Sequence, residues 1–517
     1  MADEPVTGAD ELVRAAARSD IRVCFANPGT TEMPLVASLD REPGIRAVLG
    51  LHENVCTGAA DGYGRVAGRA AMTLLHLGPG LANGLANLHN ARRAHTPLVT
   101  VVGDHTSWHL PHDAPLTSDI SSLAATVGAV RTVGGRGEIG DATRAAIDDA
   151  YRRRGVSTLI VPADHQQRIA PSSVTESATP AARQAVPSDR VKDVAQRLRS
   201  AGAHPVLLLG GNALTRAGQL AAHAVAASVG ATLYCETFPA RAERGGGLPN
   251  IDRLPYFPET AAAALREADP VVVVGAEDPV AYFGYEGVPS ELARPGTLVR
   301  LSAPDEDAES ALLELADLFD AVGPPTPPEP TALPEGYDAL TGRVLGQVIA
   351  ADLPEQAIVS VEGGTSGYPF YTASASAAAH TVLTNTGGAI GQGLPCALGA
   401  AIAAPDRPVI ALQSDGSGLY TAQALWTMSR ERVNVTVVVV ANHTYNVLRT
   451  ELGRHGTTEF GPQATALTSL ADPRVDWVAL AKGFGVSACR AARVADLRTA
   501  LADALATGGP HLIEAAI

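Results

Sequence analysis

Short apolar segments rich in β-branched residues alternate with segments of helical periodicity along the whole chain. ADELVRAAARS has the apolar spacing of an amphipathic helix, and the IRVCFANPG stretch after it is typical of a buried strand that ends in a turn. The alternation continues through RAVLGLH, ENVCTGAADGYGRVAG, AAMTLLHLG, a helix predicted from Asn83 to Ala94, and PLVTVVG. Strands buried on both faces and separated by helices are typical of doubly wound parallel sheets. The pattern therefore predicts an α/β protein.

Two polar, proline-containing segments divide this alternation into three parts. HQQRIAPSSVTESATPAARQAVPSD and VGPPTPPEPTALPEG lack apolar periodicity and have the composition of linkers. We therefore predict three doubly wound parallel-sheet domains, over residues 1–170, 188–322 and 336–517. The length of 517 residues agrees with this division, because a single hydrophobic core seldom serves more than about 250–300 residues.

Composition and charge narrow the class of protein. Hydrophobic residues make up 46% of the chain and charged residues 18%, as in a well-buried globular protein. The net charge of −15 argues against nucleic-acid partners, since phosphates would be repelled. The five cysteines form no CxxC pair, so a zinc site or a disulfide framework is not expected. The N-terminus does not resemble a signal peptide, and no apolar run reaches the roughly 20 residues that span a bilayer. We expect a soluble, cytoplasmic protein without membrane partners.

Two polar residues follow neighbouring predicted strands in the third domain. RPVIALQ leads to Asp415, and VTVVVVA ends just before Asn442. The carboxyl ends of adjacent parallel strands lie about 5 Å apart, at the edge where such sheets bind ligands. A carboxylate and an amide oxygen suit Mg²⁺, which takes phosphate oxygens for its remaining positions. An Asp-Gly turn and a strand-end asparagine are also ordinary structural features, so these two residues alone leave both interpretations open.

The spacing around these residues resembles that of thiamine-diphosphate-dependent enzymes. Their signature is GDG followed, after a helix and a strand, by NN; here SDG at Ser414 is followed by 25 residues and then Asn442. TAQALWTMSRERVNVTVVVVANHTYNVLR is similar to the decarboxylase and acetolactate-synthase branch of that family. The resemblance implies bound Mg²⁺, with Asp415, Asn442 and the Thr444 carbonyl as its ligands. Ser414 and Ala441 depart from the signature, at positions that are not ligands in it.

In the first domain, HENVCTGAADGYGR resembles the segment of this family that activates the cofactor. Glu53 lies at the junction of a predicted strand and helix, where the helix dipole alone also favours an acidic residue. The resemblance implies that Glu53 hydrogen-bonds the pyrimidine ring of thiamine diphosphate and promotes loss of the thiazolium C2 proton. It also implies that Ile390, in TGGAIGQGLP, holds the two cofactor rings in their bent arrangement.

Other cofactor contacts follow from the same comparison. The resemblance assigns the diphosphate end of the cofactor to residues beside predicted strand ends, namely Gly364, Thr365, Gly416, Ser417, Thr444 and Tyr445. A nicotinamide dehydrogenase is not expected, because Asn83 occupies the place of the third glycine of a GxGxxG fingerprint. The second domain could hold FAD, as in acetohydroxy-acid synthases, but GGNAL supplies a single glycine turn, which does not support FAD.

Candidate substrate-binding residues lie mainly in the first domain. His76 ends AAMTLLH, where the benzoylformate-decarboxylase branch carries a proton-relaying histidine; a histidine satisfied within the core is the alternative. Thr30 in FANPGTTEM replaces a serine that contacts the substrate carboxylate in that branch, although Pro-Gly-Thr is also ordinary turn and capping chemistry. One of His105, His109 and His112 is expected to enter the pocket, with His112 as the candidate.

The second domain departs from the decarboxylase pattern. AYFGYEG falls where that branch carries a second active-site histidine, and here Phe283 or Tyr285 takes its place. This departure argues against a proton relay of the simple benzoylformate type.

The resemblance covers nearly the whole chain and implies one reaction class. A 2-oxo acid loses CO₂, and the intermediate is either protonated to an aldehyde or joined to a second carbonyl compound. The resemblance further implies a homodimer or homotetramer, in which Glu53 of one chain faces Asp415 and Asn442 of another. The alternative is a non-catalytic homologue that binds the cofactor for regulation, but loss of Glu53 would be the simplest route to inactivity and Glu53 is present.

Overall fold

Helices and strands alternate from one end of the chain to the other, as the apolar pattern predicts. The computed structural model describes residues 6–167, 181–202, 204–320, 323–330 and 338–517. Parts of both predicted linkers, residues 168–180, 322 and 331–336, lie outside the described residues. The elements before the first linker are α1 (Gly8–Arg18), β1 (Val23–Asn27), α2 (Met33–Leu39), β2 (Arg46–Leu49), α3 (Glu53–Ala67), β3 (Ala71–Leu75), α4 (Leu77–Arg93), β4 (Leu98–Asp104), α5 (Ile120–Ala125), β5 (Gly128–Thr132), α6 (Ile139–Arg153), β6 (Val156–Pro162) and α7 (Ala163–Gln167).

The first sheet is parallel and has six strands in the order β2-β1-β3-β4-β6-β5. The chain reverses its direction across the sheet at β1, since β2 lies on one side of this strand and β3 on the other. In open α/β sheets, ligands bind at such a reversal, beyond the carboxyl ends of the strands. One face of the sheet is closed by a core of aliphatic side chains from the strands and from α1, α2 and α6.

The second sheet is formed by the middle of the chain. Its region contains α8 (Ser188–Arg199), β7 (Val206–Leu209), α9 (Arg216–Val229), β8 (Thr232–Cys235), β9 (Arg241–Arg244), β10 (Asp252–Arg253), α10 (Pro258–Leu265), β11 (Val271–Val274), β12 (Leu298–Ser302) and α11 (Ala308–Ala316). Five of the strands form a parallel sheet in the order β10-β8-β7-β11-β12. The four residues of β7 and the four of β11 are all buried, as expected for central strands covered on both faces.

The third sheet follows the second linker. Its region contains α12 (Gly342–Ala351), β13 (Ile358–Glu362), α13 (Gly364–Ala373), β14 (His380–Thr384), α14 (Gly393–Ala403), β15 (Val409–Ser414), α15 (Asp415–Gly418), α16 (Ala424–Glu431), β16 (Val435–Ala441), α17 (Asn446–Arg454), α18 (Pro462–Thr468), α19 (Trp477–Gly483), β17 (Ser487–Ala491), α20 (Val494–Thr507) and β18 (His511–Ala516). Five of these strands pair in parallel in the order β17-β18-β16-β15-β13. The prediction of three parallel α/β sheets is confirmed.

The chain divides into two compact units. The larger unit contains residues 1–181, 332–371 and 387–517, and therefore includes the first sheet and the five-stranded part of the third. The smaller unit contains residues 182–331 and 372–386, in which β14 pairs with β9 in antiparallel fashion. The predicted domain boundaries at residues 170, 188, 322 and 336 stay a prediction.

Within the larger unit, α3 and α14 pack backbone against backbone. A Cβ atom added at Gly62 would lie 2.1 Å from the Cys396 carbonyl oxygen, and one at Gly399 would lie 1.9 Å from the Ala59 carbonyl oxygen. Only glycine permits so close an approach at these two positions. The small residues of the predicted ENVCTGAADGYGRVAG helix therefore serve its contact with α14.

A buried ion pair within α3 also bonds to the residue that precedes α14. The Arg65 guanidinium donates to both oxygens of Asp61, at 2.8 and 2.6 Å, with each side chain at most 1% exposed. Thr96 Oγ1 and Gln392 Nε2 each donate a further hydrogen bond of 2.7 Å to the Asp61 carboxylate. Because a buried ion pair offsets its desolvation cost only when its hydrogen bonds are made, this arrangement fixes α3 against the segment that begins α14.

The fourth helix begins earlier than predicted. The pattern indicated a helix from Asn83 onward, whereas α4 begins at Leu77, directly after His76. Gly-Pro-Gly usually signals a turn, but Pro79 lies in the first turn of α4, where a helix leaves its N–H groups unpaired in any case. Leu77 has a positive φ of 51°, which marks a constrained backbone next to His76.

In the smaller unit, His380 is expected to make stability depend on pH. Its side chain is buried in β14, and its Nδ1 donates to the Ala378 carbonyl at 2.8 Å. Burial and, to a smaller extent, the positive charge of Arg244 lower the pKa of His380 from 6.5 to about 4, although the bond to Ala378 acts in the opposite direction. Between these two values the unfolded chain binds a proton that the folded chain does not, so stability is lost as the pH falls from 6.5 towards 4.

We therefore expect His380 to lower the free energy of unfolding of the wild type by about 2 kcal/mol between pH 7.5 and pH 5. His380→Asn should remove this decrease. Urea denaturation of both proteins at the two pH values measures this difference. Equal losses in the wild type and the variant would contradict the expectation.

Candidate active site

The carboxyl edge of the first sheet collects the ionisable side chains that the sequence singled out. Glu53 begins α3 after β2, and His76 follows β3 directly. Glu32, which is not among the residues predicted from the sequence, ends a short turn of 3₁₀ helix, Thr30–Glu32, after β1. Because β1 and β3 flank the reversal of strand order, Glu32 and His76 lie where this sheet would bind a ligand.

Glu53 is a half-buried carboxylate at the start of α3. Asn83 Nδ2, on α4, donates a 3.0 Å hydrogen bond to Glu53 Oε2. His52 caps the helix, since its Nδ1 accepts from the Asn54 amide at 3.1 Å. A Cβ atom added at Gly80 would lie 3.2 Å from Glu53 Oε1 and 3.4 Å from His76 Cβ, so both residues border the first turn of α4. The structure therefore brings Glu53 and His76 to one place.

His76 is held by Glu32. Its Nδ1 lies 2.8 Å from Glu32 Oε2, and the Glu32 side chain is fully buried. A carboxylate can only accept, so the Nδ1 atom carries a proton and donates it in this bond. The second nitrogen, Nε2, is then the atom that can gain or release a proton. This is the arrangement of an oriented acid–base histidine.

Glycines make room for this pair. A Cβ atom added at Gly29 would lie 2.2 Å from His76 Nδ1, and one at Gly103, in β4, would lie 1.9 Å from Glu32 Oε1. The Gly29 amide also donates to Glu32 Oε2 at 2.8 Å. Gly29, in the NPGTTE turn, therefore leaves the space that the His76 ring occupies, in addition to forming the turn.

Glu32→Gln is expected to lower kcat by roughly 10- to 100-fold, because small misplacements of a reacting group carry losses of this order. The Glu32 oxygens accept from Gly29 N, Thr31 Oγ1 and His76 Nδ1. Glutamine has one acceptor oxygen in place of two, so it cannot hold all three donors. Steady-state kinetics measures the effect. Thr31→Val is the comparison, because it removes the 2.6 Å hydrogen bond to Glu32 Oε1 and the 3.3 Å contact with His76 but leaves the carboxylate bonded to His76 Nδ1. Equal kcat values in Glu32→Gln and the wild type would contradict the role of Glu32.

The other two predicted substrate residues, Thr30 and His112, have exposed side chains. Thr30 is exposed, and it is the next residue, Thr31, that contacts His76. His112 is also exposed; its ring lies 5.8 Å from that of His109, which lies 5.3 Å from that of His105. The roles of Thr30 and His112 stay predictions.

In the third sheet, Asp415 and Asn442 follow adjacent strands. β15 pairs with β16, with Ser414 opposite Val440, and the two polar residues come next after the strand ends. The Asp415 carboxylate is buried and accepts from the Gly416 amide at 2.9 Å and from the His443 amide at 2.7 Å. Asn442 Oδ1 accepts from the Thr444 amide at 3.0 Å. Asp415 and Asn442 thus lie at the same edge of the sheet, as the sequence predicts.

The predicted diphosphate-binding residues lie in segments that follow β13, β15 and β16. Tyr445 covers Gly416, since a Cβ atom there would lie 2.5 Å from Tyr445 Cε1. Ser417 Oγ donates to the Ser414 carbonyl at 3.3 Å and accepts from Gln413 Nε2 at 2.6 Å. Thr444 Oγ1 donates to the Thr468 carbonyl at 2.9 Å. Gly364 and Thr365 are the first two residues of α13.

These residues fit a bound cation. Burial raises the pKa of Asp415, although the amides of His443 and Gly416 act in the opposite direction. A nearby cation would offset the cost of a buried, ionised carboxylate. Over the described residues, no group of three or more His, Cys, Asp or Glu could hold a metal. This agrees with a site that has one carboxylate and completes its shell with an amide oxygen, a carbonyl and phosphate oxygens, as Mg²⁺ does.

Two segments of the chain match models of a known protein family. A family model described as "Thiamine pyrophosphate enzyme, N-terminal TPP binding domain" matches residues 6–123, and one described as "Thiamine pyrophosphate enzyme, C-terminal TPP binding domain" matches residues 364–515. The chain belongs to the thiamine pyrophosphate enzyme family. The matched segments contain the edges of the first and third sheets described above.

Relatives of this thiamine pyrophosphate enzyme are similar over their whole length. The protein named "Putative acetolactate synthase large subunit IlvX" of Mycobacterium tuberculosis is 46% identical over 518 residues, 99% of each chain. Benzoylformate decarboxylase of Pseudomonas aeruginosa is 31% identical over 529 residues, 96% of each chain. Among solved structures, a thiamine diphosphate-dependent 4-hydroxybenzoylformate decarboxylase of Rhodococcus jostii RHA1 has a TM-score of 0.86 and 26% identity, over 98% of each chain.

These matches confirm the predicted enzyme class. The protein is a thiamine-pyrophosphate-dependent enzyme of the acetolactate synthase and benzoylformate decarboxylase type, and the catalytic interpretation is favoured over a regulatory homologue. Neither domain description includes a flavin. In the described parts of the chain, every helix is too short or too polar to cross a membrane.

Proposed function

We propose that this thiamine pyrophosphate enzyme decarboxylates a small 2-oxo acid and releases the corresponding aldehyde. The observation that carries the proposal is the His76 imidazole, fixed at Nδ1 by the buried carboxylate of Glu32 and bordering the same helix turn as Glu53. A histidine oriented in this way has its Nε2 atom available to exchange a proton with a bound substrate. Protonation of carbon after CO₂ has left is the step that such a group would serve.

The chain's own residues divide into three roles in this proposal. Bound thiamine diphosphate supplies a nucleophilic carbon and an electron sink. Glu53 would hold the pyrimidine ring, and the oxygens of Asp415, Asn442 and the Thr444 carbonyl would hold Mg²⁺. The residues beside the diphosphate would be Gly364, Thr365, Gly416, Ser417, Thr444 and Tyr445, with Ile390 against the two rings.

His76 would handle the protons, and nearby polar groups would orient the acid. In its protonated form His76 would deliver a proton from Nε2 to carbon, and in its neutral form it would accept the hydroxyl proton as the aldehyde leaves. Thr30 and His112 stay the proposed contacts of the substrate, and Thr31 joins them because its Oγ1 lies 3.3 Å from His76 Nδ1.

A second candidate outcome is carboligation, in which a second carbonyl compound captures the intermediate. Two observations favour it. The 46% identical relative bears the name of an acetolactate synthase. In the smaller unit, the segment where the decarboxylase branch carries a second histidine presents Phe283, which is 57% exposed. With one proton donor in place of two, the intermediate would persist longer and could meet an acceptor.

We also propose a homodimer or homotetramer with active sites shared between chains. The carboxyl edge of the first sheet exposes Met33, Leu51 and Trp108. Helix α17, over residues 446–454, has no buried residue, and it exposes Val447 and Leu448 directly after the predicted metal ligands. Exposed apolar groups around a site support its being covered by a second copy. The five free thiols support the predicted cytoplasmic location.

A panel of 2-oxo acids tests the proposed function. The enzyme with thiamine diphosphate and Mg²⁺ is assayed for CO₂ release and for the carbon product, with and without an added aldehyde acceptor. Aldehyde formation that His76→Ala lowers more than CO₂ release would support decarboxylation with His76 as the proton donor. Release of CO₂ only together with a coupled product would establish carboligation instead, and no CO₂ release from any 2-oxo acid would refute both.

A further inference from the structure

An asparagine holds the backbone on one side of Ile390. Asn90, on α4, accepts a 3.2 Å hydrogen bond from the Ala389 amide at Oδ1 and donates a 2.8 Å bond to the Ala389 carbonyl from Nδ2. The carboxamide therefore pairs with both backbone groups of the residue that precedes Ile390. Such a paired contact fixes the direction of the chain as well as its distance.

The backbone on the other side of Ile390 is held just as closely. The Gly391 amide donates to Glu362 Oε1 at 2.8 Å, and the Gly391 carbonyl accepts from Asn87 Nδ2 at 3.2 Å and from Thr421 Oγ1 at 2.9 Å. The buried Glu362 carboxylate also accepts from the next two amides, those of Gln392 and Gly393. Ile390 thus has hydrogen-bonded neighbours on both sides.

The asparagines are also joined to one another. Asn90 Nδ2 donates to Asn87 Oδ1 at 2.9 Å, and Asn87 is bonded twice to Asn54: its amide donates to Asn54 Oδ1 at 3.0 Å and its Nδ2 to the Asn54 carbonyl at 2.8 Å. Asn87 and Asn90 are fully buried. A buried polar network in which the members satisfy each other is rigid and specific, whereas apolar packing alone would let this segment shift.

We propose that Asn87 and Asn90 are positioning residues that fix Ile390 against the cofactor, an inference that rests on the role given to Ile390 in the proposed function. Ile390 would hold the two cofactor rings in place, and a shift of about 1 Å in the position of a reacting group can cost about 100-fold in rate. The three hydrogen bonds that Asn87 and Asn90 make with Ala389 and Gly391 would not be needed for the fold here. The α3–α14 contact and the hydrogen bond from Gln392 to Asp61 already join these parts.

A double-mutant cycle with Ile390 separates this role from a structural one. The variants are Asn90→Ala, Ile390→Ala and the two combined, each loaded with thiamine diphosphate and Mg²⁺. Three quantities are measured: kcat, the exchange of the cofactor C2 proton for deuterium without substrate, and the Kd of the cofactor from quenching of tryptophan fluorescence. We expect Asn90→Ala to slow kcat and C2 exchange by roughly 10- to 100-fold and to change Kd much less. In the Ile390→Ala background, Asn90→Ala should have little further effect.

Two further variants keep the test decisive. Thr57→Val removes a buried α3–α4 hydrogen bond, from Thr57 Oγ1 to the Gly84 carbonyl, that does not involve residues 389–391; it should leave C2 exchange unchanged. Thr421→Val removes one hydrogen bond to Gly391 without altering α4, and it should slow C2 exchange by a few fold. This variant tests the proposal even if the Asn90→Ala protein does not fold. Wild-type exchange in Asn90→Ala and Thr421→Val, or equal further losses in the Ile390→Ala background, would overturn the proposal. Wild-type exchange in Ile390→Ala would remove the proposed role of Ile390 itself, and this inference with it.

Discussion

Replacing Glu53 by glutamine is expected to lower kcat by about 1,000-fold while thiamine diphosphate still binds. Glutamine has the same shape and can still accept the hydrogen bond that Asn83 Nδ2 gives to Glu53 Oε2, so the start of α3 should keep its structure. It cannot hold or release a proton in the way that a carboxyl group does. Steady-state kinetics measures kcat, and titration of tryptophan fluorescence measures cofactor binding.

A matched control distinguishes the carboxylate from its surroundings. Asn83→Ala removes the hydrogen bond to Glu53 Oε2 but leaves the carboxylate in place. We expect a loss of about 10-fold or less in that variant, the size of one orienting contact. A Glu53→Gln variant with near-wild-type turnover would exclude the proposed mechanism, and one that no longer binds the cofactor would show that Glu53 serves binding more than activation.

The fold could be predicted because its determinants are local in sequence. VTVVVVA forms β16, in which all seven residues are buried, because a central parallel strand is covered on both faces and needs no polar side. The positions of Asp415 and Asn442 follow from the same fact, since each comes next after a strand and β15 and β16 are neighbours. Strand-end residues of adjacent parallel strands must share an edge of the sheet.

The partners of the site residues could not be predicted in this way. Glu32 and His76 are 44 positions apart, and they meet only because β1 and β3 are neighbours across the reversal in the first sheet. Asn90 and Ala389 are 299 positions apart, and their contact depends on the packing of α3 against α14. The signal available in the sequence was indirect: the acidic residue of NPGTTE and the glycines that make room for it. Hydrogen bonds of this kind depend on tertiary packing, which periodicity does not encode.

Replacing Asp415 by asparagine is expected to abolish the stabilisation of the protein by Mg²⁺ and thiamine diphosphate. Burial raises the pKa of Asp415, so ionising this carboxylate in the ligand-free protein costs stability. The cost appears as the pH rises from the ordinary aspartate range to the raised pKa and is constant above it. A bound cation offsets that cost and stabilises the fold by mass action, which raises the Tm with ligand concentration. The asparagine variant lacks the charge, so its Tm without ligand should be equal to or above that of the wild type at neutral pH.

Thermal unfolding with Mg²⁺ alone, thiamine diphosphate alone and both together tests this expectation. The wild type should gain stability mainly when both are present, because the metal joins the protein oxygens to the diphosphate. Asn442→Ala should lose the same gain, whereas Asp476→Asn should keep it, because Asp476 caps α19 through the Ala479 amide and is not a predicted ligand. An Asp415→Asn variant that retains the full metal-dependent rise in Tm would rule out Asp415 as a ligand. A rise lost in Asp415→Asn and Asn442→Ala but kept in Asp476→Asn would place the metal between the ends of β15 and β16.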